Sequence, residues 1–394
     1  MLKQQTKIMR ISEIEKYINE LRIDEEQFKQ GLTKDNNTVH EARSIISRTL
    51  NNVIFIVKST LDYLRLLIVL LQNKSKSKRI VYTAYNFCNK VDGKYEDRIV
   101  KPLFSDNIIF INTSKERYIT SISDQKVYNL GGLAKGLSLF FRGTKQMRLY
   151  KAYQTINNSI IRSLDTGKEI FLLWFYDLNS LSIIFSKLRG RVKLIEVQHG
   201  SIINYPPYMK PAPVKLIDVF YVKNQPTIDY LREHLCKGFD CEYNLIPYPK
   251  GKRKTFPGLH VLYASTVDFK GVHPVFLKFL SSTNAPDLHL KVRLHPRERT
   301  PEIEELFTRQ ITSCGVQFTF DKTKNWIAEN EIDNLIVVSP WSSSIEDSYD
   351  NGYTTIIIDP AGRQRFAHLI DDKKCFYSQD LEETLSKITK GSVS

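Results

Sequence analysis

Three short stretches concentrate the side chains that do acid–base and anion chemistry. The first is Ile195-Glu196-Val197-Gln198-His199-Gly200, an apolar run ending in a histidine. An imidazole is the side chain best suited to taking a proton from a hydroxyl near neutral pH. Gly200 is expected to allow a tight turn that holds the ring at the rim of a sheet. The following Asn204, Tyr205, Pro206, Pro207 and Tyr208 read as a rigid aromatic loop suited to flanking a sugar, with Gln198 and Gly200 beside it. A histidine that only hydrogen-bonds its own loop accounts for the same pattern.

The second stretch, Lys291-Val292-Arg293-Leu294-His295-Pro296-Arg297-Glu298, again ends a strand-like run in His, now followed by a proline that fixes φ and removes a donor. Arg293, Arg297 and Arg299 put positive charge around His295, as a phosphate site requires. Surface arginines decorating a strand end are the plainer reading. The third stretch is Ser339-Pro340-Trp341-Ser342-Ser343-Ser344-Ile345-Glu346. Ser343 and Glu346 have capping-box spacing, so a helix is expected to start at the serines. Its free amides and the hydroxyls of Ser342, Ser343 and Ser344 suit a phosphate; a cap alone needs no ligand. Ser265 and Thr266 are expected to line the same place.

The elements that must position these groups alternate as in α/β proteins. Apolar runs at Ile80–Ala84, Ile108–Asn112, Ile170–Phe175, Val192–Val197 and Val219–Val222 are continuous, as in parallel strands covered on both faces. Leu245–Gly258 (LIPYPKGKRKTFPG) reads as a linker. A second series follows at Leu259–Ala264, Leu288–Leu294, Leu335–Val338 and Thr355–Ile358, with a helix over Pro301–Cys314. The expected organisation is a helical region over 1–78, a first Rossmann-like domain over 79–250 and a second over 251–394. Ligands in such folds bind at the carboxyl ends of the strands.

Composition narrows the class. With 394 residues, 42% apolar and 25% charged, the chain is globular and long enough for two domains. The formal charge of +14 points to an anionic partner. Five scattered cysteines without a CxxC pair fit a reducing compartment and no cysteine zinc site. The polar start MLKQQTKIMRISEIEK lacks a signal-peptide core, and Val53–Leu71 is broken by Lys58, Asp62 and Arg65, so no membrane span is expected. That apolar helix, followed by Lys74, Lys76, Lys78 and Arg79, fits either an anionic bilayer surface or a core helix with a solvated end. The basic-aromatic run Leu137–Tyr150 adds to the first reading. His40, His234, His260, His273, His289 and His368 show no metal-ligand spacing and read as structural or surface residues. There is no Walker loop, GxGxxG, GxSxG or HExxH motif, no Asp-x-Asp after a strand and no nucleic-acid motif.

The order His-Gly, Arg-Leu-His-Pro, Ser-Ser resembles bacterial GT-B glycosyltransferases of surface polysaccharide synthesis, above all the CMP-sugar-dependent sialyltransferase and Kdo-transferase families. It is also similar to the CDP-glycerol and CDP-ribitol phosphotransferases of teichoic acid synthesis. The likeness covers Glu196–Tyr208, Arg293–Glu298 and Ser339–Phe366. It implies two doubly wound domains facing a central cleft and an inverting, metal-independent transfer from a nucleotide sugar to a glycan or lipid-linked acceptor. No cofactor and no nucleic-acid partner are implied, and the place of work is the cytoplasm, with peripheral contact to the inner membrane. In this reading His199 is the general base. His295 is the second catalytic residue, contacting the donor phosphate and assisting departure of the nucleotide. Arg293, Pro296, Arg297, Ser265 and Thr266 bind the donor, Ser342, Ser343 and Ser344 bind its phosphate or, for a nonulosonate, its carboxylate, and Glu346 reaches a ribose or sugar hydroxyl. Gln198, Gly200, Asn204, Tyr205 and Tyr208 face the acceptor. A polyol phosphotransferase, a UDP-sugar 2-epimerase and a non-catalytic binding protein are the alternatives.

Overall fold

Runs of branched apolar residues too short for helices pair into two mainly parallel sheets, one in each of two units of the chain; the first carries antiparallel pairs at one edge. The structure, a computed structural model, describes residues 9–32, 45–72, 79–83, 88–91, 94–97, 100, 103, 108–114, 118–198, 200–247, 252–267, 269–282, 287–295, 298–321, 330–371 and 373–389. His199, Pro296, Arg297, Lys74, Lys76 and Lys78 lie outside the described residues. The division between the units falls after Ile246, within the stretch expected as a linker, and Ile203–Tyr205 group with the second unit.

The first unit opens with two helices, α1 (Ile11–Leu32) and α2 (Ile45–Gln72). Helical spacing puts Ile14 and Ile18 of α1, and Ser59, Asp62, Leu66 and Leu70 of α2, on buried faces. The strands β1 (Arg79–Thr83), β2 (Cys88–Val91), β3 (Lys94–Asp97), β4 (Ile108–Asn112), β5 (Ser121–Ile122) and β6 (Gln125–Asn129) come next. They are followed by α3 (Gly131–Ser138), α4 (Lys145–Arg162), β7 (Lys168–Leu172), α5 (Leu178–Ile184), β8 (Val192–Val197), β9 (Val219–Val222), α6 (Gln225–Glu233) and β10 (Glu242–Leu245). Seven of these strands are parallel, in the order β10-β9-β8-β7-β1-β4-β6, and the short β5, β3 and β2 extend that edge. The order reverses direction between β1 and β7. Phe110, Phe171, Ile195 and Val197 fill one face of the sheet. Glycine is required at Gly132: a Cβ there would sit 2.5 Å from Ser59 Oγ and 2.6 Å from the Phe55 carbonyl, so α3 lies with its backbone against α2.

The second unit carries β11 (Leu259–Ala264), α7 (Pro274–Ser282), β12 (Leu288–Arg293), α8 (Pro301–Thr312), β13 (Phe318–Phe320), β14 (Leu335–Ser339), α9 (Ser344–Asp350), β15 (Thr354–Ile357), α10 (Pro360–Arg365), β16 (Cys375–Tyr377) and α11 (Leu381–Thr389). All six strands are parallel, in the order β13-β12-β11-β14-β15-β16. Counted along the chain this is third, second, first, fourth, fifth, sixth, the doubly wound Rossmann arrangement. Val261, Tyr263, Leu290, Val292 and Val338 pack under α7 and α8 on one face, and Leu262, Leu335, Val337 and Tyr353 cluster on the other.

The expected class, two doubly wound α/β units with a helical N-terminal region, is the one observed. The predicted strands Ile108–Asn112, Val192–Val197, Val219–Val222 and Leu259–Ala264 match to the residue. The helix expected to Cys314 ends at Thr312, and the strand expected to Phe175 ends at Leu172. The polar or very short strands β2, β3, β5, β6, β10, β13 and β16 carried no sequence signal. No helix among the described residues is long and apolar enough to cross a membrane.

Candidate functional site

In the second unit the strand ends that matter are level. Ala264 pairs with Arg293, Tyr263 with Val338, and Ser339 with Ile357. The carboxyl ends of β12, β11, β14 and β15 therefore present their loops side by side. Strand order reverses between β11 and β14, which is where a doubly wound sheet opens a ligand crevice. Ser339 Oγ ties the two strands together there by donating to the Ala264 carbonyl at 2.8 Å. It also accepts the Ser342 amide at 3.2 Å. On the β11 side Ser265 and Thr266 are both buried, and Thr266 Oγ1 has no hydrogen-bond partner among the described residues.

Ser265 serves the His-Pro turn. Its Oγ accepts the His295 amide at 2.9 Å and donates to Glu298 Oε2 at 2.5 Å. The Glu298 amide returns to the His295 carbonyl at 2.8 Å, and Arg299 Nε donates to the Leu294 carbonyl at 3.3 Å. Half-buried His295 is thus braced from both sides by backbone and by a buried hydroxyl–carboxylate pair. Arg293, expected on donor phosphate, instead meets Asp321 Oδ2 through Nε at 2.7 Å and Nη2 at 2.5 Å. Its charge is neutralised inside the unit, because successive side chains of a strand leave on opposite faces and that of Arg293 meets the loop after β13. Among the described residues Arg299 is a cation next to the turn, its pKa lowered by burial first and by Arg293 second.

The serine stretch departs from the expected capping box. Ser343, at the N-cap, has helical torsions (φ −59°, ψ −12°) and makes no side-chain cap. A capping hydroxyl reaches back to the helix amides from an extended backbone, which Ser343 lacks. Ser342 does that work instead: its Oγ accepts the Ser344 amide and lies 3.3 Å from Ser344 Oγ. The helix that follows has seven residues, and Glu346 in its first turn is fully buried, not turned outward to a ribose. Gly362 is obligatory under this loop, since a Cβ there would lie 1.9 Å from the Pro340 carbonyl oxygen. The backbone of α10 thereby supports the Ser339–Ser344 turn.

One pair escaped the sequence reading. His273, expected to be structural or superficial, places Nε2 3.3 Å from Asp359 Oδ2, and its Nδ1 accepts the Val275 amide. The proton therefore sits on Nε2. Burial pushes the Asp359 carboxyl up, but the bonds from His273 and the Ala361 and Gly362 amides outweigh it and hold the pKa below the ordinary value. Asp359 caps α10 by accepting the Ala361 amide, and its partner His273 lies 86 residues away.

In the first unit, the end of β8 is organised by Glu196 and Gln198. Gln198 is not free to meet an acceptor: Oε1 accepts the Lys223 amide at 2.8 Å and Nε2 donates to the Gly200 carbonyl at 3.0 Å. Gly200, expected to allow a tight turn, has open space around it and does not adopt a left-handed φ. Tyr208 is buried edge-on to Phe175, and its hydroxyl donates to Glu196 Oε1. Its ring fills the core and does not flank solvent. Glu196, unnoticed in the sequence, also accepts the Phe175 amide at 3.1 Å. Burial drives its pKa to about 8, against the lowering effect of the Tyr208 and Phe175 bonds. Asn204 and Tyr205, expected on the acceptor side, group with the second unit: Asn204 Nδ2 donates to the Arg365 carbonyl at 3.4 Å, and the Arg365 guanidinium lies 5.7 Å from the Tyr205 ring. Among the described residues no group of three His, Cys, Asp or Glu is placed to hold a metal.

No protein-family model and no curated protein matches the chain. Among solved structures it is similar to the GtfA/B complex, at 11% identity and TM-score 0.36, covering 64% of this chain and 54% of that one, so it spans about half the length of that relative. It is similar to the lipopolysaccharide outer core galactosyltransferase WaaB, at 8% identity and TM-score 0.46, over 80% of this chain and 91% of that one. The MurG of Acinetobacter baumannii aligns at 10% identity and TM-score 0.41, over 80% and 91% of the respective chains.

Proposed function

We propose that the protein is a two-domain glycosyltransferase of GT-B type that moves a sugar from a nucleotide-activated donor to a hydroxyl of a bacterial surface glycan. A CMP-activated nonulosonate or Kdo is the favoured donor, from the resemblance of the motif order. The observation that carries the reading is the reversal of strand order between β11 and β14: Ser339 of β14 is bonded to Ala264 at the end of β11, the buried Thr266 hydroxyl, without a partner among the described residues, follows two residues later, and the braced His295 leaves the neighbouring strand end.

Sugar transfer builds positive charge at the anomeric carbon and negative charge on the departing phosphate. His295 and the hydroxyls of Thr266, Ser342 and Ser344 stabilise that phosphate by donating hydrogen bonds. His199, by its place after β8, takes the proton from the acceptor hydroxyl as the new bond forms. Separating base and leaving-group stabiliser in this way fits an inverting displacement that needs no metal ion.

Calorimetric titration with CMP, CDP, UDP, GDP and dTDP, followed by nucleotide-release assays with the matching donors, tests the proposal. The expected result is binding of one cytidine nucleotide, weakened about tenfold or more by Ser342→Ala, and release slowed ~100-fold by His295→Ala. His199→Ala is expected to abolish transfer while keeping nucleotide affinity. If no nucleotide binds at millimolar concentration, or if transfer survives both histidine replacements, the reading fails. Release of CMP from CDP-glycerol would assign the polyol phosphotransferase chemistry instead.

A further inference from the structure

The face of α2 turned away from the protein is apolar, and its spacing is regular. Ile54, Val57, Leu61, Leu64, Ile68 and Leu71 are separated by three, four, three, four and three residues, and each is 43–53% exposed. The buried residues Ser59, Asp62, Leu66 and Leu70 lie on the opposite side of the helix, so the exposed row does not belong to the core. Asp62 is held there by Tyr118 Oη at 2.7 Å and Asn129 Nδ2 at 3.0 Å, which fixes how α2 is rotated. The sequence carries the same spacing one step back, to Leu50.

An alternation of three and four is the heptad signature of a helix that pairs with another helix. A bilayer surface asks for an apolar arc and sets no such register. In heptad terms Ile54, Leu61 and Ile68 take the a positions and Val57, Leu64 and Leu71 the d positions. Isoleucine at two of the three a positions and leucine at two of the three d positions match the two-stranded pattern, from which Leu61 and Val57 depart. The borders choose the orientation. Both e positions inside the seam are cationic, Lys58 and Arg65, while the g positions Val53, Thr60 and Leu67 carry no charge. An antiparallel pair would set e against e and bring like charges together. A parallel pair sets e against g and avoids this. Burying the exposed halves of six aliphatic side chains removes on the order of 500–600 Å² from each copy, or roughly 1,000–1,200 Å² in all, the lower edge of a specific interface.

We infer that the protein forms a homodimer through α2, two copies packing this face in parallel and in register. Sedimentation velocity of the full chain over a range of concentrations reads the assembly directly. A concentration-dependent dimer is expected at micromolar protein, with Leu61→Glu/Leu64→Glu remaining monomeric at concentrations at least tenfold higher. Because both side chains are exposed, that variant should keep the wild-type circular dichroism spectrum, and the wild-type melting temperature at concentrations where the wild type is monomeric. Orientation is read by oxidising Leu61→Cys. A parallel seam places each residue 61 against its own copy and gives a covalent dimer, absent in the wild type treated alike. Wild-type protein that stays monomeric at 100-fold the assay concentration overturns the inference. So does a monomer that sediments with phosphatidylglycerol vesicles through the same face. Cross-linking only in a mixture of Leu61→Cys and Leu64→Cys chains overturns the parallel arrangement.

Discussion

Glu196 offers a sharp test of the architecture around β8, because its burial has a calculable consequence for pH-dependent stability. An unfolded glutamate titrates near 4.5, and in the folded protein burial raises this carboxyl to about 8. Between those values the folded state keeps a proton that the unfolded state has released. The stabilisation is therefore whole below pH 4.5 and is lost as pH rises towards 8, at about 1.4 kcal/mol per pH unit. Going from pH 6 to pH 8 should cost the folded state about 2–3 kcal/mol through this residue alone. Urea unfolding of wild type and Glu196→Gln at pH 6, 7 and 8 isolates it, since all other titrating groups are common to both. The glutamine variant is expected to lose that part of the slope. It loses one acceptor for Tyr208 or the Phe175 amide, so it starts lower at pH 6, and the gap closes or reverses by pH 8. Tyr208→Phe removes a bond that favours the carboxylate and should move the transition to higher pH. Parallel pH profiles for wild type and Glu196→Gln would refute the assignment of a buried, proton-holding carboxyl at this position.

Further outcomes follow from the second unit. Thr266→Val replaces a buried hydroxyl lacking a partner with an isosteric methyl, so the free protein should gain up to about 1 kcal/mol in urea unfolding while nucleotide affinity falls; a stability loss with unchanged affinity would contradict the assigned role. Ser265→Ala removes one hydrogen bond each from the buried His295 amide and the Glu298 carboxylate. A loss of about 2–3 kcal/mol is expected, together with a raised KM for donor that Ser265→Thr partly restores. Gly362→Ala drives a methyl against the Pro340 carbonyl and should cost about 1–3 kcal/mol, visible as a lowered melting temperature and weakened nucleotide binding.

The strands most legible in the sequence are apolar along most of their length, and several of them are buried at nearly every position. Leu335–Ser339 is buried at every position, and Ile108–Asn112 likewise, so both read as continuous apolar runs. Gln125–Asn129 and Phe318–Phe320 were not legible, because pairing with β4 and β12 makes them strands and their own composition does not. Among the candidate residues, His295, Ser265, Thr266 and the Ser342–Ser344 turn follow the carboxyl ends of the neighbouring strands β12, β11 and β14. The roles expected of Gln198, Tyr208 and Arg293 meet partners that the sequence does not show. Gln198 is spent on two backbone groups, Tyr208 on Glu196 and Arg293 on Asp321.

By itself the sequence determined the succession of elements and the positions of the chemical groups along it, because periodicity and strand-end location are local properties of the chain. Strand order was decided only by the tertiary structure, and with it the reversal between β11 and β14, since that order depends on which non-adjacent runs pair. The same holds for partners such as His273 with Asp359 or Arg293 with Asp321, which lie 86 and 28 residues apart. A hydrogen bond or ion pair is set by proximity in space, and proximity across such separations exists only once the sheet has formed.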